Sequence, residues 1–222
     1  MRMRDLEIVS VESEPFAENS YVIRRSGESA ALVIDPGFDV DSILDILRSE
    51  RLTPIAILNT HGHVDHIAGN ARMKSVYALA PLIIGRNDAH LLRDPQANLS
   101  AMFGVPIVSP GADRLVDHGE RLDLAGIAIE VREIPGHSPG SVVFVLDGSD
   151  PPIVFGGDVL FAGGVGRTDL GGDARQLTDG IRAHLYNLPD ETVVWPGHGP
   201  ATTIGVEKRT NPFVREKPAE RL

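Results

Sequence analysis

A chain of 222 residues, 42% of them hydrophobic, is long enough for one domain with a substantial core, and this composition argues against disorder. Its formal net charge of −10 argues against a general affinity for nucleic acids or for an anionic membrane surface. The absence of cysteine excludes disulfides and thiolate metal ligands, so histidine and carboxylate side chains are the ligands that remain for a metal.

The first segment, 1–16, has no apolar core of the kind that a secretion signal needs. No apolar run further along the chain is long enough to cross a bilayer. We therefore expect a soluble, cytoplasmic protein without a membrane partner.

Short runs rich in Val and Ile, bounded by Gly, Pro, Asp or Asn, recur along the chain and are typical of strands. The predicted strands are YVIRR (21–25), AALVID (30–35), IAILNT (55–60), APLIIG (80–85), IAIEVREI (127–134), SVVFVLD (141–147), PIVFGGD (152–158) and TVVW (192–195). Helices are predicted between them at 39–50, 66–79, 86–94 and 173–188. This order indicates a layered α/β or α+β fold rather than a purely parallel wound sheet.

One long loop is predicted at 94–112, and a loop of this length is either a lid or substrate wall or a variable surface excursion. The last segment, about 203–222, begins like a helix, is interrupted by Pro212 and ends in charged residues. We treat 1–222 as one domain that ends in this C-terminal helix and tail.

The stretch NTHGHVDHIAGN (59–70) holds four potential metal ligands within six positions, namely His61, His63, Asp65 and His66. His61 and His63 alternate at the end of a predicted strand, so both imidazoles point the same way. Asp65 and His66 follow where the chain turns into a helix, and their side chains aim at a second point. The cluster therefore predicts two metals rather than one.

Three more potential ligands follow other predicted strands: His137 in PGHSPGS, Asp158 in FGGDVLF and His198 in WPGHGP. Each is flanked by Gly or Pro, which allow the backbone to come close to a crowded centre. The alternative is a set of surface histidines without a metal, but four separate segments at strand ends argue against it. The histidines without such a context, predicted to be ordinary, are His90, His118 and His184.

These side chains divide into two predicted metal sites that share one carboxylate. The predicted ligands of metal one are His61, His63 and His137. The predicted ligands of metal two are Asp65, His66 and His198. Asp158 bridges the two metals, and Asp158 and Asp65 are the candidate catalytic groups. The set suits two divalent ions, zinc first and iron or manganese as alternatives, and paired metals form a known hydrolytic arrangement.

The motifs THGHVDH, GHSPGS, GGDVLF and GHG resemble those of the metallo-β-lactamase superfamily in their order and separations. ENSY (18–21) and VIDPG (33–37) are similar to early landmarks of the same family, so the resemblance covers nearly the whole chain. It implies an αββα sandwich, with two sheets face to face, helices outside and the metal site at one edge of the sheets.

Within the superfamily, GHSPGS, DVLFAGGVGRTDLGGD and EKRTNPF resemble the short glyoxalase II group, the hydroxyacylglutathione hydrolases. This resemblance implies a binuclear hydrolase of thioesters such as S-lactoylglutathione, with a small molecule rather than a nucleic acid as partner. The chain departs from the long form of glyoxalase II, because only 24 residues follow His198. A helical domain that binds glutathione does not fit there, and the thiol carrier stays open.

Other functions fit parts of the pattern. Persulfide dioxygenases share GRTD and the first histidine motif, but they bind one iron through two histidines and one aspartate, and their last motif differs from PGHGP. Hydrolysis of other esters or of lactones, and a non-enzymatic metal-binding role, also remain open. True β-lactamases often use a cysteine ligand or lack the bridging aspartate, and both features argue against them here.

Three further residues are candidates around the metal site. Asp35 in VIDPG could accept a ring N–H from a ligand histidine, or serve as a turn residue before Pro36. Arg167 could bind a substrate carboxylate, or pair with Asp169 instead. Lys208 is a candidate for binding an anionic substrate tail, with a solvated surface position as its alternative.

Overall fold

The computed structural model describes residues 5–146 and 148–215, and two sheets dominate this part of the chain. The first sheet follows the chain in strand order and consists of β1 (Leu6–Ser13), β2 (Glu18–Arg25), β3 (Ala30–Ile34), β4 (Thr53–Asn59), β5 (Leu82–Gly85) and β6 (Arg114–Val116). Strands β1 to β3 are antiparallel neighbours, whereas β3 to β6 run parallel to one another.

The second sheet has the strand order β14-β13-β10-β9-β8-β7. Its strands are β7 (Arg121–Leu124), β8 (Ile127–Glu133), β9 (Val142–Leu146), β10 (Ile153–Gly157), β13 (Val193–Pro196) and β14 (Thr202–Thr203). All neighbours are antiparallel except β10 and β13, which are parallel. A small hairpin of β11 (Leu160–Phe161) and β12 (Gly164–Val165) follows β10.

Helices connect or follow these strands, and they are α1 (Val40–Ser49), α2 (Val64–Ile67), α3 (Asn70–Val76), α4 (Ala174–His184) and α5 (Ile204–Thr210). Side-chain caps explain where the last two begin. The Asp173 carboxylate accepts hydrogen bonds from the backbone N–H groups of Arg175 and Gln176 at the start of α4. The Thr203 hydroxyl accepts one from Val206 at the start of α5.

Strand β9 illustrates why the fold has four layers. All five of its residues are buried. Val142, Phe144 and Leu146 join the core between the two sheets, whereas Val143 and Val145 join a second cluster that includes α4. Because side chains alternate along a strand, a continuous apolar run needs cover on both faces of the sheet.

The outer face of the first sheet is covered in the same way. Leu44 and Leu47 of α1 and Met73 of α3 pack in one cluster with Val33 of β3 and Ile57 of β4. Helices therefore lie outside two sheets that face each other. The predicted αββα sandwich is confirmed, as are the eight predicted strands and the helices predicted at 39–50 and 173–188, although α4 ends at 184.

Two predicted helices were wrong. The helix expected at 66–79 is divided into α2 and α3, because Gly69 donates a backbone hydrogen bond to the Pro36 carbonyl at 2.8 Å and packs directly against that chain. The helix expected at 86–94 is two short 3₁₀ turns, at 86–88 and 91–93. Contacts of the Asp88 carboxylate to distant segments hold this part of the chain, and they override the local apolar spacing.

The predicted loop at 94–112 is irregular apart from a 3₁₀ turn at 100–103. Strands β1, β6 and β7 were not predicted from the sequence, because they alternate only partly or are short, and neither were the two-residue strands β11, β12 and β14. Residue 147 of a predicted strand and residues 216–222 of the predicted tail lie outside the described residues. Within the described ranges, no helix combines the length and the apolar character that a bilayer span requires.

Candidate metal centre

All seven predicted metal ligands lie in one cluster, just after the carboxyl ends of β4, β8, β10 and β13. The cluster contains three overlapping sets of ligand atoms, and within each set the atoms lie within 4.8 Å of one another. The sets are His61 with His63 and His137, His61 with His66 and Asp158, and Asp65 with His66 and His198. Within the described residues, His90, His118 and His184 belong to no such set.

The first group of ligands consists of His61, His63 and His137. Nδ1 of His63 lies 2.9 Å from Nε2 of His137, and that nitrogen lies 3.2 Å from Nε2 of His61. Two ligands of a tetrahedral zinc are about 3.3 Å apart, since Zn–N distances are about 2.0–2.1 Å. The three nitrogens are therefore close to the spacing that one zinc requires.

The neighbours of these rings identify their tautomers. The Thr60 hydroxyl donates to the Asp35 carboxylate at 2.6 Å, so it accepts the Nδ1–H of His61 at 3.1 Å. His137 donates its Nδ1–H to the Arg167 carbonyl at 2.8 Å. The Nε2 lone pairs of His61 and His137 then face each other, and a cation between them removes the repulsion.

The charge state of the first group also suits a metal. Burial lowers the pKa of His61 well below its ordinary value. Burial, with His137 adding to it, lowers the pKa of His63 to about 3. Both imidazoles are thus neutral at physiological pH, which is the form that binds a metal.

The second group consists of Asp65, His66 and His198. Nε2 of His198 lies 3.4 Å from Oδ2 of Asp65, and Nε2 of His66 lies 3.9 Å from the same oxygen. Nδ1 of His198 donates to the Phe16 carbonyl at 3.1 Å, which leaves its Nε2 toward the cluster.

Positive charge is favoured at this second group. Burial lowers the pKa of both imidazoles, yet the carboxylates of Asp65 and Asp158 raise the pKa of His66 well above its ordinary value. Against the same burial, hydrogen bonds to Asp158 and Asp65 raise the pKa of His198 to about 10. In the metal-free protein, protons on these two histidines therefore balance the charge of the carboxylates. A divalent cation carries more positive charge and can take the place of these protons.

Asp158 faces both groups. Its Oδ1 lies 3.3 Å from Nε2 of His66, and its Oδ2 lies 3.4 Å from Nε2 of His137 and 3.5 Å from Nε2 of His198. Burial opposes the charge on this carboxylate, but His66 and the other histidines hold the pKa of Asp158 well below its ordinary value.

Two buried atoms at the centre of the cluster, His66 Nε2 and Asp158 Oδ1, lie 3.3 Å apart but form no hydrogen bond with each other or with another group in the described part of the chain. Buried polar atoms are normally paired, so these two indicate that something else binds them. The donor set, the tautomers and the unpaired atoms together fit divalent metal ions.

Asp88 was not predicted from the sequence as a site residue. Its buried carboxylate accepts hydrogen bonds from the Gly62 backbone N–H at 2.9 Å, the Ser138 hydroxyl at 2.7 Å and the Gly140 backbone N–H at 2.6 Å. It thereby joins the loop that carries His61 to the loop that carries His137. An acidic residue three positions after the apolar run that ends at residue 85 was the signal available in the sequence.

Asn19 and Tyr21 of ENSY connect the two sheets. The Asn19 amide donates to the carbonyls of Pro196, at 3.2 Å, and Gly199, at 2.9 Å. The Tyr21 hydroxyl donates to the same Pro196 carbonyl at 2.6 Å. These bonds hold the loop that carries His198 against strand β2.

The EKRTNPF motif also has a structural role. The side chain of Asn211 donates to the Gly164 carbonyl at 2.9 Å, and the Gly163 backbone N–H donates to buried Glu207 at 3.0 Å. Helix α5 therefore holds the β11–β12 hairpin in place. The Phe161 ring of that hairpin lies 6.0 Å from the His198 ring.

The three residues predicted around the metals occupy different places. Asp35 Oδ2 lies 3.0 Å from Nδ1 of His66. Arg167 lines the cavity at the cluster, but its guanidinium forms two hydrogen bonds with Asp169, at 2.8 and 2.7 Å, and these lower the pKa of Asp169 to about 2. Lys208 donates to Asp190 at 2.9 Å and is not among the residues that line this cavity.

Residues 13–198 match the sequence profile of the Metallo-beta-lactamase superfamily, and this range contains every predicted ligand. The chain belongs to the metallo-β-lactamase superfamily. Its resemblance to that family, predicted from the histidine motifs, is thereby confirmed, and metal-dependent hydrolysis is the chemistry that membership suggests.

Similar members of the superfamily cover almost the whole chain. The hydroxyacylglutathione hydrolase GloC of Haemophilus influenzae is 35% identical over 217 residues, which is 96% of this chain and 99% of that one. The crystal structure of the B3 metallo-β-lactamase BLEG-1 is 37% identical with a TM-score of 0.88, over 94% of this chain and 99% of that one. TTHA1623, solved in a di-iron-bound form, is 38% identical with a TM-score of 0.81, over 92% of this chain and 99% of that one.

Proposed function

We propose that this protein is a binuclear metallohydrolase that acts on thioesters. The observation that carries the proposal is the position of Asp158, whose two oxygens lie within 3.5 Å of ligand nitrogens from both groups. A carboxylate so placed would help to hold metals at both groups, which is the arrangement of a paired-metal hydrolase. The similarity to GloC, a hydroxyacylglutathione hydrolase, supports a thioester as the substrate class.

Two divalent metals at this centre would lower the pKa of a water from about 15.7 toward about 7 and stabilise the negative charge that develops on a substrate carbonyl. The chain's own residues hold the geometry. Asp35 and the Arg167 carbonyl bind the outer nitrogens of His66 and His137 and aim the inner nitrogens at the centre, where a metal would take the place of any proton on them. Asp158, ionised and facing the centre, is the group placed to take a proton from the attacking water.

A thioester suits the groups around the centre. The cavity there is lined by predicted ligands, apolar side chains and Arg167, and the guanidinium of Arg167 is already bound to Asp169. Among these described lining residues, none is an uncommitted acid that could protonate a poor leaving group. A thiolate leaves without such help, whereas an amine or an alkoxide depends on it.

The donor set favours zinc over other metals, because its five histidines and two aspartates supply nitrogen and oxygen ligands that zinc prefers. The di-iron form of TTHA1623 supports iron as the alternative, and manganese stays open. A persulfide dioxygenase with one iron is less well supported, because two ligand groups lie side by side here. Other esters and lactones remain alternative substrates of the same centre.

A second candidate function is β-lactam hydrolysis. The similarity to BLEG-1, a B3 metallo-β-lactamase, favours it over most of the chain. A β-lactam is a strained amide whose carbonyl would be attacked in the same way. We propose a small molecule as the partner and the cytoplasm as the location, on the support of the acidic net charge and the lack of cysteine.

The test combines elemental analysis of metal content with hydrolysis of S-lactoylglutathione, other thioesters, a lactone and a β-lactam. Two metals per chain and release of thiol are expected. One iron per chain with oxygen consumption would instead support the dioxygenase, and faster β-lactam turnover would support the second candidate. Asp158→Ala should abolish turnover and lose at least one metal, so near-normal rates in that variant contradict the bridging role.

A further inference from the structure

A groove of about 270 Å³ opens beside the metal centre, and we call it the apolar groove. Its walls come from residues 15–16 in the β1–β2 turn, from Phe38, from Val64 at the start of α2, and from side chains within 100–107. The walls are almost entirely carbon. The proposed hydrolase function does not by itself require such a groove.

The apolar groove is continuous with the metal centre. Phe16, Val64 and Phe103 line the groove and also line the cavity that contains Asp65 and Asp158. A molecule whose carbonyl lies at the metal ligands can therefore extend directly into the groove without crossing a polar surface.

Aromatic rings at the groove are exposed to solvent. The Phe16 ring contacts Phe103 edge-on at 4.9 Å and Phe38 at 5.7 Å between centroids. Phe103 is 55% exposed and Val105 is 64% exposed. Monomeric proteins rarely leave neighbouring large apolar side chains in water unless the surface binds something.

The wall formed by residues 100–107 is held in place before any ligand binds. The buried Asn98 side chain donates to the carbonyls of Leu91 and Ile107, both at 3.0 Å, and its oxygen accepts from the Ser100 backbone N–H at 3.0 Å. The Ser109 backbone N–H donates to the Leu92 carbonyl at 2.8 Å. The groove is therefore preformed, as small-molecule sites usually are.

Polar carriers do not fit the chemistry of the groove. The Ser100 hydroxyl accepts from the Ile107 backbone N–H at 2.9 Å and contacts the Pro95 carbonyl at 3.4 Å, so it is already bonded. Amide groups of a peptide-like or pantetheine-like thiol carrier would lose their hydrogen bonds to water there without replacement. The occupant consistent with carbon walls is the hydrocarbon part of the substrate.

Charge also argues against a tripeptide carrier in this region. Among the described residues that line the groove and the adjoining cavity, Arg167 is the cation, and Asp169 binds it through two hydrogen bonds. The two carboxylates of a glutathione moiety would thus meet no uncompensated positive side chain in these linings.

We propose, on the basis of the thioesterase function proposed above, that the apolar groove binds the acyl chain of the substrate, which is a thioester of an unbranched or aromatic apolar acid. The carbonyl lies at the metal centre, the acyl chain lies between Phe16, Phe103 and Val105, and the polar thiol carrier lies on the open side of the centre.

The size of the groove limits the length of acyl chain that it can bind. Each methylene buried in it should improve kcat/KM about three- to fourfold, and the gain should stop once the groove is full. A volume of about 270 Å³ is below that of a typical drug-sized site, so we expect the gain to end within a medium-length chain.

The experiment uses the full-length, metal-loaded protein and two series of ligands. The first is a set of N-acetylcysteamine thioesters with acyl chains of two to twelve carbons, for which kcat/KM is measured. The second is the matching set of linear alkanoates, for which the Kd is measured by calorimetry, so that binding is observed without turnover. Both series keep the polar part constant and change only the apolar chain.

Two valines on the same loop provide a matched pair of variants. Val105→Asp places a charge in the groove, whereas Val108→Asp changes a residue that is 58% exposed and is not among the groove-lining residues. We expect Val105→Asp to lose at least tenfold in kcat/KM for the best acyl chain, compared with Val108→Asp. Val108→Asp should retain the chain-length dependence.

A third variant enlarges the groove. Phe38→Ala should move the optimum to longer acyl chains, because it removes a ring from the wall. Rates and Kd values that do not change from two to twelve carbons would overturn the proposal and leave the thioesterase function intact. A chain-length dependence that survives in Val105→Asp would overturn it as well. If the protein shows no thioesterase activity but its alkanoate affinity still follows chain length, the proposed thioesterase function is rejected and the groove assignment is retained.

Discussion

The carboxylate of Asp35 lies 3.0 Å from Nδ1 of His66, on the opposite side of the ring from the nitrogen that faces Asp158. The other carboxylate oxygen of Asp35 accepts the Thr60 backbone N–H at 2.7 Å. Asp35 adopts a left-handed backbone conformation with φ of 47°, which Asp and Asn tolerate better than most residues. One side chain thus determines both the tautomer of His66 and the end of strand β4.

Asp35→Asn should weaken metal binding while keeping the fold. The amide retains the size and the tolerated backbone conformation, but it removes the charge that orients His66. Loss of such a supporting carboxylate typically costs about 10–100-fold in metal affinity. Zinc titration against a competing chelator measures this, with Asp41→Asn, an exposed aspartate, as the control. Unchanged affinity of the Asp35 variant would show that the contact is unimportant for the metals.

Asp88→Asn should destabilise the protein and weaken the first metal site. An amide cannot accept hydrogen bonds on both sides, so at least one of the three donors from Gly62, Ser138 and Gly140 loses its partner. The expected cost is about 1–3 kcal/mol in the free energy of unfolding. Urea unfolding measures it, and Asp123→Asn, at an exposed site, should change stability by less than about 0.5 kcal/mol. Equal stability of the two variants would contradict the joining role of Asp88.

Gly197→Ala should disrupt the second metal site. A Cβ at this position would overlap Oδ1 of Asp158 and lie 2.7 Å from Cε1 of His66, so both ligands would have to move. Gly199 has a φ of +75° but open space around it, so Gly199→Ala serves as the control. It should lower the free energy of unfolding only through backbone strain, by about 1 kcal/mol. Metal content after dialysis should fall in the first variant and stay at the wild-type value in the second. Full metal occupancy in Gly197→Ala would refute the crowding at the centre.

The pair of Lys74 and Asp113 should give a pH-dependent contribution to stability. Asp113 accepts hydrogen bonds from Lys74 Nζ and from the Leu82 backbone N–H, both at 2.8 Å, and these lower the pKa of Asp113. The folded pKa is below the unfolded one, so the stabilisation is present above the unfolded pKa and is lost as the pH falls through the folded pKa.

Asp113→Asn should therefore be less stable than the wild type at neutral pH by about 0.5–1 kcal/mol, since the pair is partly exposed. The difference should shrink as the pH falls through the acid range below about 4. Urea unfolding at a series of pH values follows both proteins. A difference that stays constant with pH would mean that the ion pair contributes nothing.

The fold class followed from the sequence because its evidence is local. Runs such as SVVFVLD contain apolar residues at every position, and a strand of this kind must be covered on both faces. The same run does not say which strand becomes its neighbour. The parallel pairing of β10 with β13, which are separated by 35 residues between Gly157 and Val193, was determined by long-range packing.

The predicted metal ligands could be found in the sequence because they come just after predicted strands, and His137, Asp158 and His198 each have Gly beside them. Asp88 could not, because its partners Gly62 and Ser138 are 26 and 50 positions away and its own segment shows only helical spacing. The division of the predicted helix at Gly69 has the same cause, since its partner carbonyl belongs to Pro36.

The sequence by itself thus determined the types of ligand, their order along strand ends and the family, because these depend on residue identity and on periodicities of a few residues. Only the tertiary structure decided that Asp158 faces both ligand groups, that Asp169 neutralises Arg167, and that Phe16, Phe38 and Phe103 form one wall beside the metals. These relationships depend on which distant segments pack together, and packing is a property of the whole chain rather than of any local pattern.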